Sequence, residues 1–238
     1  MTTFVLVPGM WLGAWAWRDV TGTLRDAGHD VFALTLTGVA DRGHLLGPGV
    51  DLTTHTEDIV RLVEVENLRD VVLVGHSYGG LPVSAAALRL RDRIARVTYV
   101  DSGPLPEGTA QLSVTPDLSV SAGNPDGTGD SVPPRAWDPK ADPVMLAGLD
   151  DAALAELRTR ATPHPRASVT QPLGARATSA DLPTELIACT FGLDQVRDMT
   201  AAGHPMFAGL TGARVIGLPT GHWPMFSEPA ALAAALTG

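Results

Sequence analysis

A chain of 238 residues, 45% hydrophobic and 18% charged, is long enough for one large α/β domain with a full core and too apolar to be disordered. Its formal net charge is −9, with no basic arm or lysine cluster, which argues against a nucleic-acid partner because phosphate binding needs a basic face. One cysteine, Cys189, excludes an intrachain disulfide, and no apolar run approaches the roughly 20 residues that span a bilayer.

The chain opens MTTFVLVPG, without the positive n-region and long h-region of a signal peptide, so a cytoplasmic protein is expected. FVLV (4–7) reads as the first strand. A helix is predicted over 18–27, with Gly28 as its C-cap. VFALTL (31–36) is the second strand. Thr54 and Glu57 are spaced as a capping box for a helix over 54–66. VVLV (71–74) runs into GHSYGG and an Ala- and Leu-rich helix over 78–91. VTYV (97–100), LIACTF (186–191) and ARVIGL (213–218) complete the strands, and Cys189 reads as a small buried residue within its run. The last helix, about 228–236, has Ser227 as N-cap and Pro229 in its first turn. Continuous apolar strands alternating with helices imply a mainly parallel, doubly wound sheet.

One region breaks this rhythm. From Pro104 to about Pro183 the chain is rich in Pro, Gly, Ser and Asp and shows no clear strand. Its best helix is DDAALAELRTRA (150–161), capped by Asp150 or Asp151. Trp137, Met145, Leu146 and Leu149 give the stretch something to bury. It therefore reads as a mainly helical cap over 104–183, inserted in a core made of 1–103 and 184–238.

GHSYG matches G-x-S-x-G. A serine hydroxyl is a poor nucleophile unless a base takes its proton and its oxygen stands clear of the backbone. A tight strand-to-helix turn presents it so, and the residues two before and two after must be small. Gly75 and Gly79 meet that need around Ser77. The base must come from a loop at the carboxyl end of the sheet. His222, in LPTGHWPMF after ARVIGL, does, and it follows Ser77 in the chain. His76 adjoins the serine, but neighbours on such a turn point different ways. His29, His44, His55, His164 and His204 have no supporting context and read as structural. The histidines are scattered, and no Cys pair or H-E-x-x-H exists, so no metal and no cofactor is expected.

With these residues in view, the chain resembles the α/β-hydrolase superfamily, and within it the small esterase group of plant methylesterases, hydroxynitrile lyases and bacterial esterases. The resemblance rests on FVLVPGMWLGAWAW (4–17), DLTTHTEDIV (51–60), VGHSYGG (74–80), VTYVDSGPLPEG (97–108) and TGHWPMFSEP (220–229). It spans nearly the whole chain and is weakest from about 110 to 180. It implies an α/β-hydrolase fold with the cap placed as above. It also implies an oxyanion hole from the backbone N–H groups of Met10 and Tyr78, each worth about 3 kcal/mol to a developing oxyanion. Many members carry His-Gly where this chain has Pro8-Gly9.

The triad needs a carboxylate to orient the imidazole. Asp194 follows LIACTF, where the family usually places its acid, although farther from the strand end than usual. Asp101 ends VTYV, a strand from which some related hydrolases take theirs. Asp101 is preferred because a strand end holds a side chain more rigidly than a loop, and Asp194 remains the alternative.

The expected function is a carboxylesterase-like serine hydrolase that cleaves a small apolar ester or lactone through an acyl-enzyme on Ser77. Trp11, Trp137, Met145 and Leu149 are expected to line the substrate pocket, while Trp11 and Trp15 each have two readings, one facing the pocket and one packed under the loop. The expected partner is a small-molecule substrate, with no nucleic acid and no membrane. The alternatives are a hydroxynitrile-lyase-like or polyketide-tailoring enzyme, and a non-catalytic small-ligand binding protein on the same fold. Trp223 stands where the plant lyases carry a lysine, which fits cyanohydrin cleavage poorly. Epoxide hydrolases and dehalogenases carry Asp at the elbow, where this chain has Ser77.

Overall fold

The computed structural model describes residues 1–115, 129–176 and 181–238. The cap expectation over 104–183 therefore falls partly outside the described residues. Among them, six strands form one parallel sheet: β1 (Thr3–Val7), β2 (Asp30–Ala33), β3 (Val71–His76), β4 (Ile94–Val100), β7 (Thr184–Ala188) and β8 (Arg214–Gly217), in the order β2-β1-β3-β4-β7-β8. Val71, Leu73 and Val74 of the central β3 are fully buried, which explains the unbroken apolar run. Each such side chain contributes roughly 1.5–3 kcal/mol by leaving water.

The helices flank this sheet. They include α1 (Arg18–Asp26), α2 (Leu52–Val65), α3 (Gly80–Arg89) and, at the C-terminus, α8 (Pro224–Ser227) and α9 (Pro229–Thr237). Gly28 takes φ +84° after α1, and the N–H groups of Gly28 and His29 reach the carbonyls of Arg25 and Leu24, a Schellman ending. Two caps differ from expectation. The box on α2 is made by Asp51, whose carboxylate accepts from Thr54 N–H, one turn earlier than Thr54 with Glu57. Glu57 instead pairs with Arg89 at 2.6 Å. Glu228, not Ser227, holds the N-cap position of α9, because Ser227 closes α8.

Between β4 and β7 lie α4 (Gln111–Val114), α5 (Asp151–Arg160) and α6 (Arg166–Thr170), with β5 (Ser131–Val132) and β6 (His164–Pro165). Asp150 caps α5 by accepting from Ala153 N–H. The pair β5–β6 is antiparallel, a two-residue ribbon that the Pro- and Gly-rich sequence hid. Between β7 and β8 runs α7 (Leu193–Ala201). No helix among the described residues is long and apolar enough to cross a membrane.

Candidate active site

Register decides which strand ends meet. In β3 and β4, His76 pairs with Val100, so Ser77 and Asp101 emerge side by side at the carboxyl edge of the sheet. Both adopt left-handed backbone, φ +51° at Ser77 and +45° at Asp101. A non-glycine residue there carries about 1–3 kcal/mol of strain, which the surroundings must hold. At Ser77 the holding contact is Ser102 Oγ, which donates to the Ser77 carbonyl at 2.6 Å. The turn also demands space. A Cβ on Gly75 would stand 2.7 Å from the Gly79 carbonyl oxygen and Val83 Cγ2, and one on Gly79 would stand 2.8 Å from the carbonyls of Val7 and Pro8.

The structure brings three candidates into one chain of hydrogen bonds. Ser77 Oγ lies 2.8 Å from His222 Nε2, and His222 Nδ1 lies 2.6 Å from Asp101 Oδ2. With Nδ1–H donating to the carboxylate, Nε2 is free to accept the serine proton. Asp101 is itself anchored. Its Oδ1 accepts from the N–H groups of Cys189 and Thr190, and the Thr190 hydroxyl donates to the carboxylate at 2.8 Å. Burial pushes the Asp101 carboxyl upward, but the His222 contact and the Thr190 donors outweigh it and hold the group below the ordinary aspartate value. The neighbouring Cys189 thiol is buried and pushed up by desolvation, which keeps it protonated.

Asp194 does not join this chain. It stands in the first turn of α7 with its side chain 86% exposed, 3.1 Å from Arg197. There it complements the helix dipole.

The loop after β1 closes over the serine. A Cβ on Gly9 would lie 3.0 Å from Ser77 Cβ, so the loop backbone at Gly9 passes directly beside Ser77. Tyr78 follows the serine where α3 presents its N-terminal end. The Tyr78 ring is fully buried, and its hydroxyl donates to His55 Nδ1 at 2.7 Å while His55 Nε2–H reaches the Thr37 carbonyl.

A cavity of about 730 Å³ opens over Ser77, Asp101 and His222. Met10, Trp11, Trp137 and Met145 line it, together with Leu146, Phe191 and Trp223. Leu149 corrects the expectation. It is half-buried against the core and does not border the cavity. Trp15 also lies elsewhere, against Phe226 and beneath the Arg160 guanidinium. The wall is continuous with the histidine: Trp11 meets Trp137, Trp137 meets Trp223, and Trp223 meets His222, each edge to face at 4.9–5.9 Å.

Sequence reasoning missed two histidines. His76 is fully buried, and its Nε2 bonds the backbone carbonyl of His222. Desolvation, reinforced by His222, holds it down to about 3, so it stays neutral. His164 reaches the loop after β1 from β6. His76 fills the unconstrained second position of G-x-S-x-G and His164 lies in no motif, so only the fold reveals what they touch. Among the described residues, no group of three or more His, Cys, Asp or Glu side chains could hold a metal ion.

A sequence model described as the alpha/beta hydrolase family matches residues 4–235. The chain is 43% identical over 116 residues to a carbendazim hydrolyzing esterase of Nocardioides sp. (strain SG-4G), covering 49% of this chain and 48% of that protein. It is 39% identical over 105 residues to methylesterase 8 of Arabidopsis thaliana, covering 42% of this chain and 37% of that one. These matches thus span about half the length of such relatives, or less. Two solved structures share the fold. One is a methylesterase from Arabidopsis, with TM-score 0.76, 19% identity and coverage of 100% of this chain and 98% of that one. The other is an extracellular alpha/beta-hydrolase from a Paenibacillus species, with TM-score 0.72, 21% identity and coverage of 100% and 98%.

Proposed function

The chain belongs to the alpha/beta hydrolase family, and from that premise we propose that it is a serine esterase cleaving a small apolar ester or lactone. The observation that carries this reading is the continuous Ser77–His222–Asp101 hydrogen-bond chain beneath a largely apolar cavity.

Each group then has a task. Ser77 Oγ attacks the ester carbonyl while His222 Nε2 takes its proton. Asp101 fixes the imidazole tautomer and stabilises the imidazolium that forms. The N–H groups of Met10 and Tyr78 receive the oxyanion. His222 returns the proton to the departing alkoxide, leaving an acyl-enzyme. A water molecule activated by His222 then releases the acid. The segment 104–183 acts as the cap: its Trp137, Met145 and Leu146 exclude water from the reacting carbonyl and select an apolar acyl or alcohol group. The esterase names of the relatives support this reading.

The test is a fluorophosphonate probe together with hydrolysis of short nitrophenyl esters. The wild-type chain is expected to label and turn over, and Ser77→Ala to lose labelling and at least about 10⁴-fold in kcat. A wild-type chain that neither labels nor hydrolyses would overturn the reading in favour of ligand binding without catalysis.

A further inference from the structure

Trp11 follows Met10 directly and takes φ +69°, an unfavourable backbone for a large L side chain. Such a conformation persists only where neighbours over-determine it. Three hydrogen bonds do so here, and all come from the segment between β4 and β7. Thr162 N–H donates to the Trp11 carbonyl at 3.0 Å. The indole N–H of Trp11 donates to the Val132 carbonyl at 3.1 Å. The backbone N–H of Trp11 donates to Nδ1 of His164 at 3.4 Å. Val132 and His164 are themselves partners across the β5–β6 ribbon.

His164 is the side chain in this clamp with a second contact that matters. It is fully buried, and its ring meets the Tyr78 ring edge to face at 4.6 Å. One imidazole therefore touches the residue after Met10 and the residue after Ser77. On the proposed function the donors are Met10, the neighbour of Trp11, and Tyr78 itself.

We propose that His164 is a positioning residue for the oxyanion hole: its Nδ1 holds Trp11 N–H, its ring abuts Tyr78, and together they aim the Met10 and Tyr78 N–H groups at one point above Ser77. The proposal rests on the oxyanion-hole reading above and adds to it that the inserted segment sets the hole's geometry. It requires the neutral tautomer with the proton on Nε2, because only a bare Nδ1 accepts from an N–H. Burial, with His55 beside it, holds His164 well below the ordinary histidine value, in keeping with a neutral ring. Misplacing a donor affects the transition state more than the bound ester, since the charge appears only in the former.

The experiment compares wild type, His164→Asn and His164→Leu on a short nitrophenyl ester, with the thermal midpoint measured for each. Asparagine places an amide oxygen near the position of Nδ1, while leucine fills the space without an acceptor. His164→Leu is expected to lose about 10- to 100-fold in kcat with KM within about two-fold, and His164→Asn to recover most of the loss. A His164→Leu enzyme with wild-type kcat, or leucine and asparagine variants equally impaired, would overturn the proposal. If the leucine variant does not fold, imidazole nitrogen NMR on the wild-type chain decides: a bare Nδ1 on His164 supports the clamp, and a protonated Nδ1 refutes it. Failure of the underlying reading looks different, because the wild-type chain would then neither hydrolyse the ester nor label with a fluorophosphonate.

Discussion

His76 Nε2 donates a hydrogen bond to the backbone carbonyl of His222 across 2.7 Å, with the two rings 4.8 Å apart. The residue preceding Ser77 thus holds the loop that carries His222. From the other side, His222 N–H donates to the Met145 carbonyl at 2.7 Å and Gly221 N–H to that of Ala147 at 3.2 Å. The histidine loop is gripped between the elbow and the inserted segment.

Removing the His76 donor should therefore slow turnover without weakening binding. His76→Leu leaves the His222 carbonyl without its partner and is expected to lower kcat about 10- to 100-fold, with KM little changed. His76→Gln, which can still donate, should restore much of the rate. Steady-state kinetics on the two variants decide, and identical rates for leucine and glutamine would refute a positioning effect.

The two carboxylates are expected to part sharply. Asp101→Asn keeps the shape but removes the charge that orients His222, and a loss of about 10³- to 10⁴-fold in kcat is expected. Asp194→Asn removes an exposed charge on α7, and activity should stay within about two-fold. Measuring kcat for both is sufficient. Equal losses would mean that the 2.6 Å contact to His222 is not the one that matters.

Acid should destabilise the fold through its buried histidines. Desolvation holds His55, His76 and His164 below the ordinary value of 6.5, His76 down to about 3. The native chain refuses protons that the unfolded chain accepts below about pH 6.5, so stability is full above that pH and falls as pH drops. His76 removes about 1.4 kcal/mol per pH unit below 6.5, or roughly 2 kcal/mol by pH 5, and His55 and His164 act in the same direction. Asp101, also depressed, acts in the same direction in a lower window, as pH falls through its folded value. Guanidinium denaturation between pH 8 and 5 checks this. A midpoint unchanged down to pH 5 would contradict it.

The strand and helix plan was legible because each element signals itself locally: apolar runs for the buried strands, Gly28 for the end of α1. Ser77 and His222 were legible as candidates for the same reason, each lying in a short motif after a strand. The choice between Asp101 and Asp194 was open, since it depends on register, His76 against Val100, and on where a loop 121 residues away returns. Local signals also compete. Asp51 offers a better acceptor than Thr54 and moved the α2 cap by one turn. His76 and His164 act through partners 146 and 153 residues distant, and no periodicity or spacing rule reaches that far.

The aromatic wall of Trp11, Trp137 and Trp223 joins two properties of the site in one set of contacts. These rings shape the cavity and end against His222, so the shape of the cavity and the setting of the imidazole are coupled. On the proposed function, truncating Trp137 to admit a bulkier ester would also loosen the packing on His222 and slow turnover. Val114, Thr115 and Met206 border the cavity but stand outside that chain of rings, so changes there would reshape the cavity without disturbing the rings packed against His222.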